Sequence, residues 1–107
     1  MKRYGQIIKV KSEKLEEYKR LHEAVWPDVL KMIKDCNIRN YSIFQKEGYL
    51  FAYFEYIGDN FDADMAKMAA DPITQKWWDL CKPCQEPVET RAEGEWWATM
   101  EDVFHID

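Results

Sequence analysis

Residues 49–57 restrict the fold of this chain more than any other segment. They predict a β-strand, in which successive side chains point to opposite faces of the sheet. Both sets are apolar or aromatic: Tyr49, Phe51 and Tyr53 would lie on one face, and Leu50, Ala52, Phe54 and Tyr56 on the other. An antiparallel sheet with one solvated face would be polar there, so both faces of this one need cover. The pattern predicts helices on one face and, on the other, the sheet of a second copy in a homodimer.

The remaining segments predict a β-α-β-β-α-β order. Strands are expected over residues 4–10, 38–45 and 96–106, and a loop at 46–48 joins the two central strands. Helices are expected from Leu15 onward, with Ser12 as N-cap, and over residues 61–70 and 72–81. Pro27 should break the first helix near Trp26, and a second segment over residues 28–35 should end by Asn37. Residues 86–95 read as a polar connection. The order predicts one ferredoxin-like α+β domain over residues 1–107, an antiparallel sheet with helices on one face.

Charge and hydropathy exclude several classes of protein. The formal net charge is −5, and Lys and Arg alternate with acids without forming a basic run, so no nucleic-acid partner is expected. No apolar stretch approaches the roughly 20 residues that span a bilayer, so no membrane partner is expected. The N-terminal residues lead straight into the first strand without the apolar core of a signal peptide. A cytoplasmic location is expected.

The first helix carries two polar aromatic groups on its apolar stripe. At about 100° per residue, one stripe combines these residues: Leu15, Tyr18, His22, Val25, Trp26 and Val29. Such a stripe is normally apolar throughout. A Tyr and a His one turn apart are more often polar core residues with internal partners than catalysts, so this pair alone leaves both interpretations open.

Aromatic residues are unusually frequent, at 15% with five Trp and six Tyr. Such an excess suggests an interface or a ring-lined pocket. Trp77 and Trp78 are adjacent on a helix, so they point about 100° apart and cannot both face one core. The pattern places Trp96 and Trp97 in a strand, where they should face opposite sides of the sheet. Each pair is therefore expected to supply one core residue and one residue at a pocket or interface.

Two further motifs favour ordinary roles. Cys81-Lys82-Pro83-Cys84 follows a helix, whereas a thioredoxin-type CxxC opens one, and a zinc site would need two more ligands, for which Cys36 and His105 are an irregular complement. Reduced thiols are the default in a cytoplasmic protein. His105, between Phe104 and Ile106, reads as a structural or surface histidine. No closely spaced carboxylate pair lies on a predicted pocket face. The sequence has no Gly-rich phosphate loop, no G-x-S-x-G motif and no HExxH motif.

Several motifs together make the chain resemble the L-rhamnose mutarotase family over nearly its whole length. They are residues 18–22 (YKRLH), Trp26-Pro27, residues 40–43 (NYSI), residues 75–78 (QKWW) and residues 100–104 (MEDVF). The resemblance implies a ferredoxin-like dimeric α/β barrel, no cofactor and no metal, and interconversion of the α and β anomers of a 6-deoxy sugar. It implies that His22 is the proton donor. It places the monosaccharide against Tyr18, Tyr41, Trp77 and Trp78.

Residues 81–85 and 93–97 depart from the bacterial pattern of that family, so the resemblance supports the reaction more strongly than the sugar. L-rhamnose is the leading substrate and L-fucose the alternative. The residues fit the chemistry, because mutarotation needs an acid/base group near neutrality and histidine is that group. Tyr18, a carboxylate or a water could serve as the second proton-transfer group. Two other hypotheses stay open: a cofactorless monooxygenase of the same architecture, and a dimeric barrel that binds a small ligand without catalysis.

Overall fold

The computed structural model describes residues 1–107 as one antiparallel sheet of five strands with four α-helices on one face. The elements are, in chain order, β1 (Lys2–Val10), α1 (Leu15–His22), α2 (Pro27–Asp35), β2 (Ile38–Lys46), β3 (Tyr49–Tyr56), α3 (Phe61–Ala70), α4 (Pro72–Cys81), β4 (Gln85–Glu86) and β5 (Ala98–Met100). The strands lie in the order β2-β3-β1, and both β4 and β5 pair with the remaining edge of β1. The predicted ferredoxin-like α+β fold is confirmed.

The core lies between the sheet and the helices. Ile8 of β1 and Leu50 of β3 are fully buried there, and Val29 and Trp77 pack on them from the helices. A smaller cluster around Phe54 lies under α3. The buried residues of β1 and β3 alternate along each strand, because successive side chains point to opposite faces. One of the two apolar faces of β3 is therefore covered by the chain's own helices.

Local turn and capping chemistry explains most element boundaries. Glu47 and Gly48 form a two-residue turn in which both residues have positive φ, +55° and +82°, as a hairpin between twisted strands requires. Helix α1 ends at His22, and Pro27 occupies the first turn of α2, where its missing N–H costs nothing. The predicted break near Trp26 is confirmed.

The N-cap predicted at Ser12 is wrong. Residues Ser12–Lys14 form a short 3-10 turn, and no side chain caps α1. Side-chain caps occur instead on the later helices, where Asn60 Oδ1 accepts from the Ala63 N–H and Asp71 Oδ2 accepts from the Thr74 N–H. The backbone hydrogen bonds of the 3-10 turn satisfy some of the N–H groups at the start of α1, so a hydroxyl cap is not required there.

The last strand is much shorter than the predicted residues 96–106. Only Ala98–Met100 pair, opposite residues 5–7 of β1. Continuing this register brings Asp102 level with Arg3, and the two form an ion pair at 2.6 Å. Pairing nevertheless stops at Met100, although Lys2–Tyr4 of β1 lie opposite residues 101–103 in this register. Residues 101–107 therefore have no regular structure, and Val103, Phe104 and Ile106 are 77–87% exposed.

The second face of the sheet is exposed and aromatic. Phe44 on β2 and Phe51 on β3 are cross-strand partners and are 65% and 36% exposed. Tyr49 and Met100 are also exposed, at 39% and 37%.

No helix of the chain has the length and apolar character needed to cross a membrane.

Candidate functional site

A cavity of about 1050 Å³ lies between the helices and the sheet. All five residues singled out in the sequence line it: Tyr18, His22, Tyr41, Trp77 and Trp78. A smaller cavity of about 310 Å³ shares Tyr18 and His22 with it. The larger cavity is thus where side chains from α1, β2 and α4 meet.

His22 is half-buried at the last residue of α1. Its Nδ1 lies 2.8 Å from the backbone oxygen of Tyr18, one helical turn earlier. A carbonyl can only accept a hydrogen bond, so Nδ1 carries the proton and donates it. In the neutral imidazole the lone pair is therefore on Nε2, which leaves Nε2 as the nitrogen available for proton transfer with a ligand.

Tyr18 lies beside His22, with ring centroids 4.3 Å apart, and is only 4% exposed. Its hydroxyl oxygen accepts a hydrogen bond from Gln85 Nε2 at 3.1 Å. Burial raises the pKa of Tyr18 well above its ordinary value, because the phenolate would be poorly solvated. Tyr18 therefore stays a neutral phenol at physiological pH.

A β-bulge turns Tyr41 toward the helices. Arg39 pairs with Glu55 and Ser42 with Tyr53, so Asn40 and Tyr41 together face the single intervening residue of β3. Asn40 has a φ of +50°, and the extra residue reverses the alternation of β2. Tyr41 consequently lines the cavity instead of the outer face. Burial of its hydroxyl raises the pKa of Tyr41 to about 12, although the residue as a whole is 42% exposed.

Trp77 and Trp78 differ in burial, as predicted for neighbouring residues on a helix. Trp77 is 6% exposed, and its indole meets the ring of His22 edge-on at 5.4 Å and that of Trp26 at 5.3 Å. Trp78 is half-buried, and the Lys82 ammonium lies 5.0 Å from its ring centroid. Trp77 thus backs the histidine, while Trp78 forms a more open part of the wall.

Gln85 is a cavity residue that no motif indicated, and Trp96 and Trp97 lie elsewhere than predicted. Gln85 is 6% exposed and lines the cavity. Both indoles are half-buried cavity residues in the segment before β5, so the prediction that a strand turns them to opposite faces is wrong. The reason is a long-range bond: Trp96 Nε1 donates to Gln85 Oε1 at 2.7 Å and draws this segment toward the cavity.

No aspartate or glutamate side chain lines the larger cavity. A carboxylate was one of the three options for the second proton-transfer group, and none lines this cavity. Tyrosine hydroxyls and water remain. The two-carboxylate arrangement of a glycosidase is absent from this cavity as well.

The CxxC thiols are buried beside the cavity. Cys84 Sγ donates to Glu17 Oε2 at 3.2 Å, and both Cys81 and Cys84 are free. Burial raises the pKa of Cys81 to about 12, and burial together with Glu17 raises the pKa of Cys84 to about 11. The thiolate is the reactive form of cysteine, so this environment favours the ordinary-thiol interpretation. His105 is on the surface and lies 2.7 Å from Asp107.

The family model for L-rhamnose mutarotase matches residues 3–106. The L-rhamnose mutarotase of Oceanobacillus iheyensis is 36% identical over 110 residues, which cover all of both chains.

Two solved structures resemble this chain over its whole length, and the first of them agrees with that match. The crystal structure of an L-rhamnose mutarotase from Formosa agariphila superposes with a TM-score of 0.77 at 26% identity, covering all of both chains. The tetracenomycin F2 cyclase of Streptomyces glaucescens superposes with a TM-score of 0.75 over all of this chain and 98% of that one, at 11% identity. At 11% identity, the similarity to the cyclase shows a shared fold and nothing about function.

Proposed function

The chain belongs to the L-rhamnose mutarotase family, and from that premise we propose that residues 1–107 act as one unit that interconverts the α and β anomers of L-rhamnose through His22. The observation that carries the role of His22 is its hydrogen bond from Nδ1 to the backbone of Tyr18. That bond leaves Nε2 as the nitrogen free to exchange a proton with the sugar.

The reaction needs one proton removed and one supplied. Nε2 of neutral His22 accepts the proton of the anomeric hydroxyl, the bond between the anomeric carbon and the ring oxygen breaks, and the ring oxygen takes a proton from a tyrosine hydroxyl or a water. The open-chain aldehyde rotates about its first C–C bond. The hydroxyl formed from the ring oxygen then attacks the other face of the carbonyl and recloses the ring. Its proton returns to the group that donated it, and His22 returns its proton to the new anomeric oxygen. General acid/base assistance of this kind contributes about 10²–10⁴-fold.

The cavity wall suits a sugar because it combines indole rings with neutral hydroxyls. A pyranose has an apolar face of C–H groups that packs on an aromatic ring, and the half-buried Trp78 offers one. Tyr18 and Tyr41 keep their protons at neutral pH, since burial raises both pKa values. Both phenols can therefore donate hydrogen bonds to sugar oxygens.

We expect the protein to accelerate exchange between the two anomers of L-rhamnose at neutral pH. The rate is measured by magnetisation-transfer NMR, with L-fucose as the parallel substrate and heat-denatured protein as the blank. Faster exchange of L-rhamnose than of L-fucose would support the proposed substrate. An unchanged rate for both sugars would refute the mutarotase proposal and favour a ligand-binding protein.

The exposed aromatic face of the sheet supports a homodimer, which we propose with the two sheets face to face. Phe44 and Phe51 lie side by side on that face, and burying such side chains contributes about 1.5–3 kcal/mol each.

The three cysteines bear on the location of the protein. All are buried and free, which is compatible with a reducing compartment, and we propose a cytoplasmic location.

The substitution Phe44→Lys should weaken the dimer. Each substituted side chain occurs twice in a two-fold interface, so the loss of about 3–6 kcal/mol would raise the dimer Kd by roughly 10²–10⁴-fold. Sedimentation velocity over a range of concentrations measures the change. Leu80→Lys makes the same apolar-to-cation change at a 42% exposed site on α4 and should leave the dimer intact. Equal sedimentation of wild type and Phe44→Lys would argue against this interface.

A further inference from the structure

Behind Tyr18 lies a chain of two hydrogen bonds. Trp96 Nε1 donates to Gln85 Oε1 at 2.7 Å, and Gln85 Nε2 donates to the Tyr18 hydroxyl oxygen at 3.1 Å. Gln85 is 6% exposed and its backbone pairs with Val10 in the sheet. The three side chains come from α1, β4 and the segment before β5, so only the folded chain brings them together.

The order of donors in this chain follows from chemistry. An indole N–H can only donate, so the amide atom facing Trp96 must be the oxygen. The other amide atom is then the NH₂ group, which can only donate, and the atom it meets on Tyr18 must accept. Trp96 thereby determines which way the Gln85 amide points, and Gln85 determines that the Tyr18 oxygen is used as an acceptor.

The proton of the Tyr18 hydroxyl has no partner within the protein. The hydrogen bond from Gln85 occupies a lone pair of the oxygen, and no protein acceptor receives the phenolic O–H. Tyr18 borders the cavity, so its remaining donor is directed at a ligand. A buried donor without a partner costs free energy, and a bound sugar oxygen would satisfy it.

We propose that Gln85 and Trp96 are positioning residues that commit the Tyr18 hydroxyl to donating a hydrogen bond to an acceptor oxygen of the sugar. This inference rests on the proposed mutarotase function and deepens it. A hydroxyl that is free to rotate would spend part of its time as an acceptor and would match the sugar less well. The Lys82 ammonium, 5.6 Å from the centroid of the Trp96 ring, further restrains the indole that begins the chain.

The substitution Gln85→Glu tests the direction of the hydrogen bonds. A carboxylate at this position accepts from Trp96 and would also accept from Tyr18, which turns the phenolic proton away from the sugar. A protonated carboxyl instead has one carbonyl oxygen and one O–H, and so reproduces the amide. Burial raises the pKa of a carboxyl group, so this protonation falls within an accessible pH range.

We expect kcat/KM of Gln85→Glu to be about tenfold below wild type at about pH 8, the loss of roughly one hydrogen bond. The variant-to-wild-type ratio should return toward one as the pH falls to about 5. Taking the ratio at each pH cancels every effect of pH that both proteins share. Gln75→Glu, the same change at an exposed site on α4 outside both cavities, should give a ratio near one throughout. A ratio for Gln85→Glu that does not change with pH would overturn the proposal.

A double-mutant cycle with Tyr18→Phe tests whether Gln85 acts through Tyr18. Gln85→Met, of similar size but without hydrogen bonds, should lower kcat/KM about tenfold in wild type and less than about twofold once the phenol is gone. Equal losses in both backgrounds would show that Gln85 acts by another route. If Gln85→Met does not fold, Trp96→Phe gives the same test, since it removes the indole N–H that orients the Gln85 amide and keeps an aromatic ring at this position.

The outcomes also separate this inference from the proposed function. Wild-type protein that leaves the anomer exchange unchanged would refute the mutarotase proposal and this inference with it. Active wild type with additive losses in the cycle would refute the positioning role alone.

Discussion

The His22→Ala variant is expected to lose catalysed anomer exchange by roughly 10²–10⁴-fold, the usual contribution of a positioned acid/base group. The Nδ1 proton is held by the backbone of Tyr18 at 2.8 Å, so Nε2 is available to the sugar. No carboxylate lines the larger cavity to replace it. Magnetisation-transfer NMR on L-rhamnose at neutral pH measures the loss, with wild type at the same concentration as reference.

The same variant separates a catalytic histidine from a structural one. His22 is half-buried on a cavity wall, so its removal should change the free energy of unfolding by only about 1 kcal/mol, as for typical substitutions. Chemical denaturation measures this free energy. His105→Ala alters the other histidine, which is exposed, and should leave both rate and stability unchanged. A loss of several kcal/mol in His22→Ala would mean that the ring chiefly supports the core.

Trp77→Ala should have the largest effect on stability of any substitution in the cavity. Trp77 is 6% exposed and packs against His22 and Trp26. Truncating a buried Trp to Ala costs about 3–5 kcal/mol, a large share of the roughly 5–15 kcal/mol that stabilises a typical domain. Thermal and urea unfolding followed by circular dichroism measure the loss.

Trp78→Ala is the matched control, because the same side chain is removed one residue away. Trp78 is half-buried and belongs to the more open wall. We expect a smaller stability loss than for Trp77→Ala, together with a raised KM for L-rhamnose if Trp78 stacks on the sugar. A variant with wild-type KM but a stability loss equal to that of Trp77→Ala would contradict this division of roles.

Apart from the N-cap at Ser12, features that depend on neighbouring residues were predicted correctly from the sequence. The bounds of α3 and α4 match the predictions, and the caps at Asn60 and Asp71 lie directly before them. Pro27 breaks the first helical stretch, and Gly48 allows the hairpin turn. Each of these is set by interactions within a few residues of the chain. The element order that follows from them was sufficient to identify the ferredoxin-like fold.

Features that depend on distant residues were not predictable in this way. The last strand stops at Met100 although Lys2–Tyr4 of β1 lie opposite the residues that follow, and the alternating pattern of residues 96–106 does not reveal that end. Tyr41 faces the cavity because a bulge shifts the register of β2 against β3.

From its sequence alone the chain could be assigned its fold and its family, because periodicity and short motifs are local properties. The family resemblance then proposed His22, Tyr18, Tyr41, Trp77 and Trp78 as site residues. The hydrogen-bonded chain from Trp96 through Gln85 to Tyr18 was decided only by the tertiary structure. Gln85 and Tyr18 are 67 residues apart, and a buried polar group takes whichever partner the packed sheet and helices bring within reach. The sequence thus determined which groups are available for the chemistry, and the packing determined which of them donate, which accept and which face the cavity.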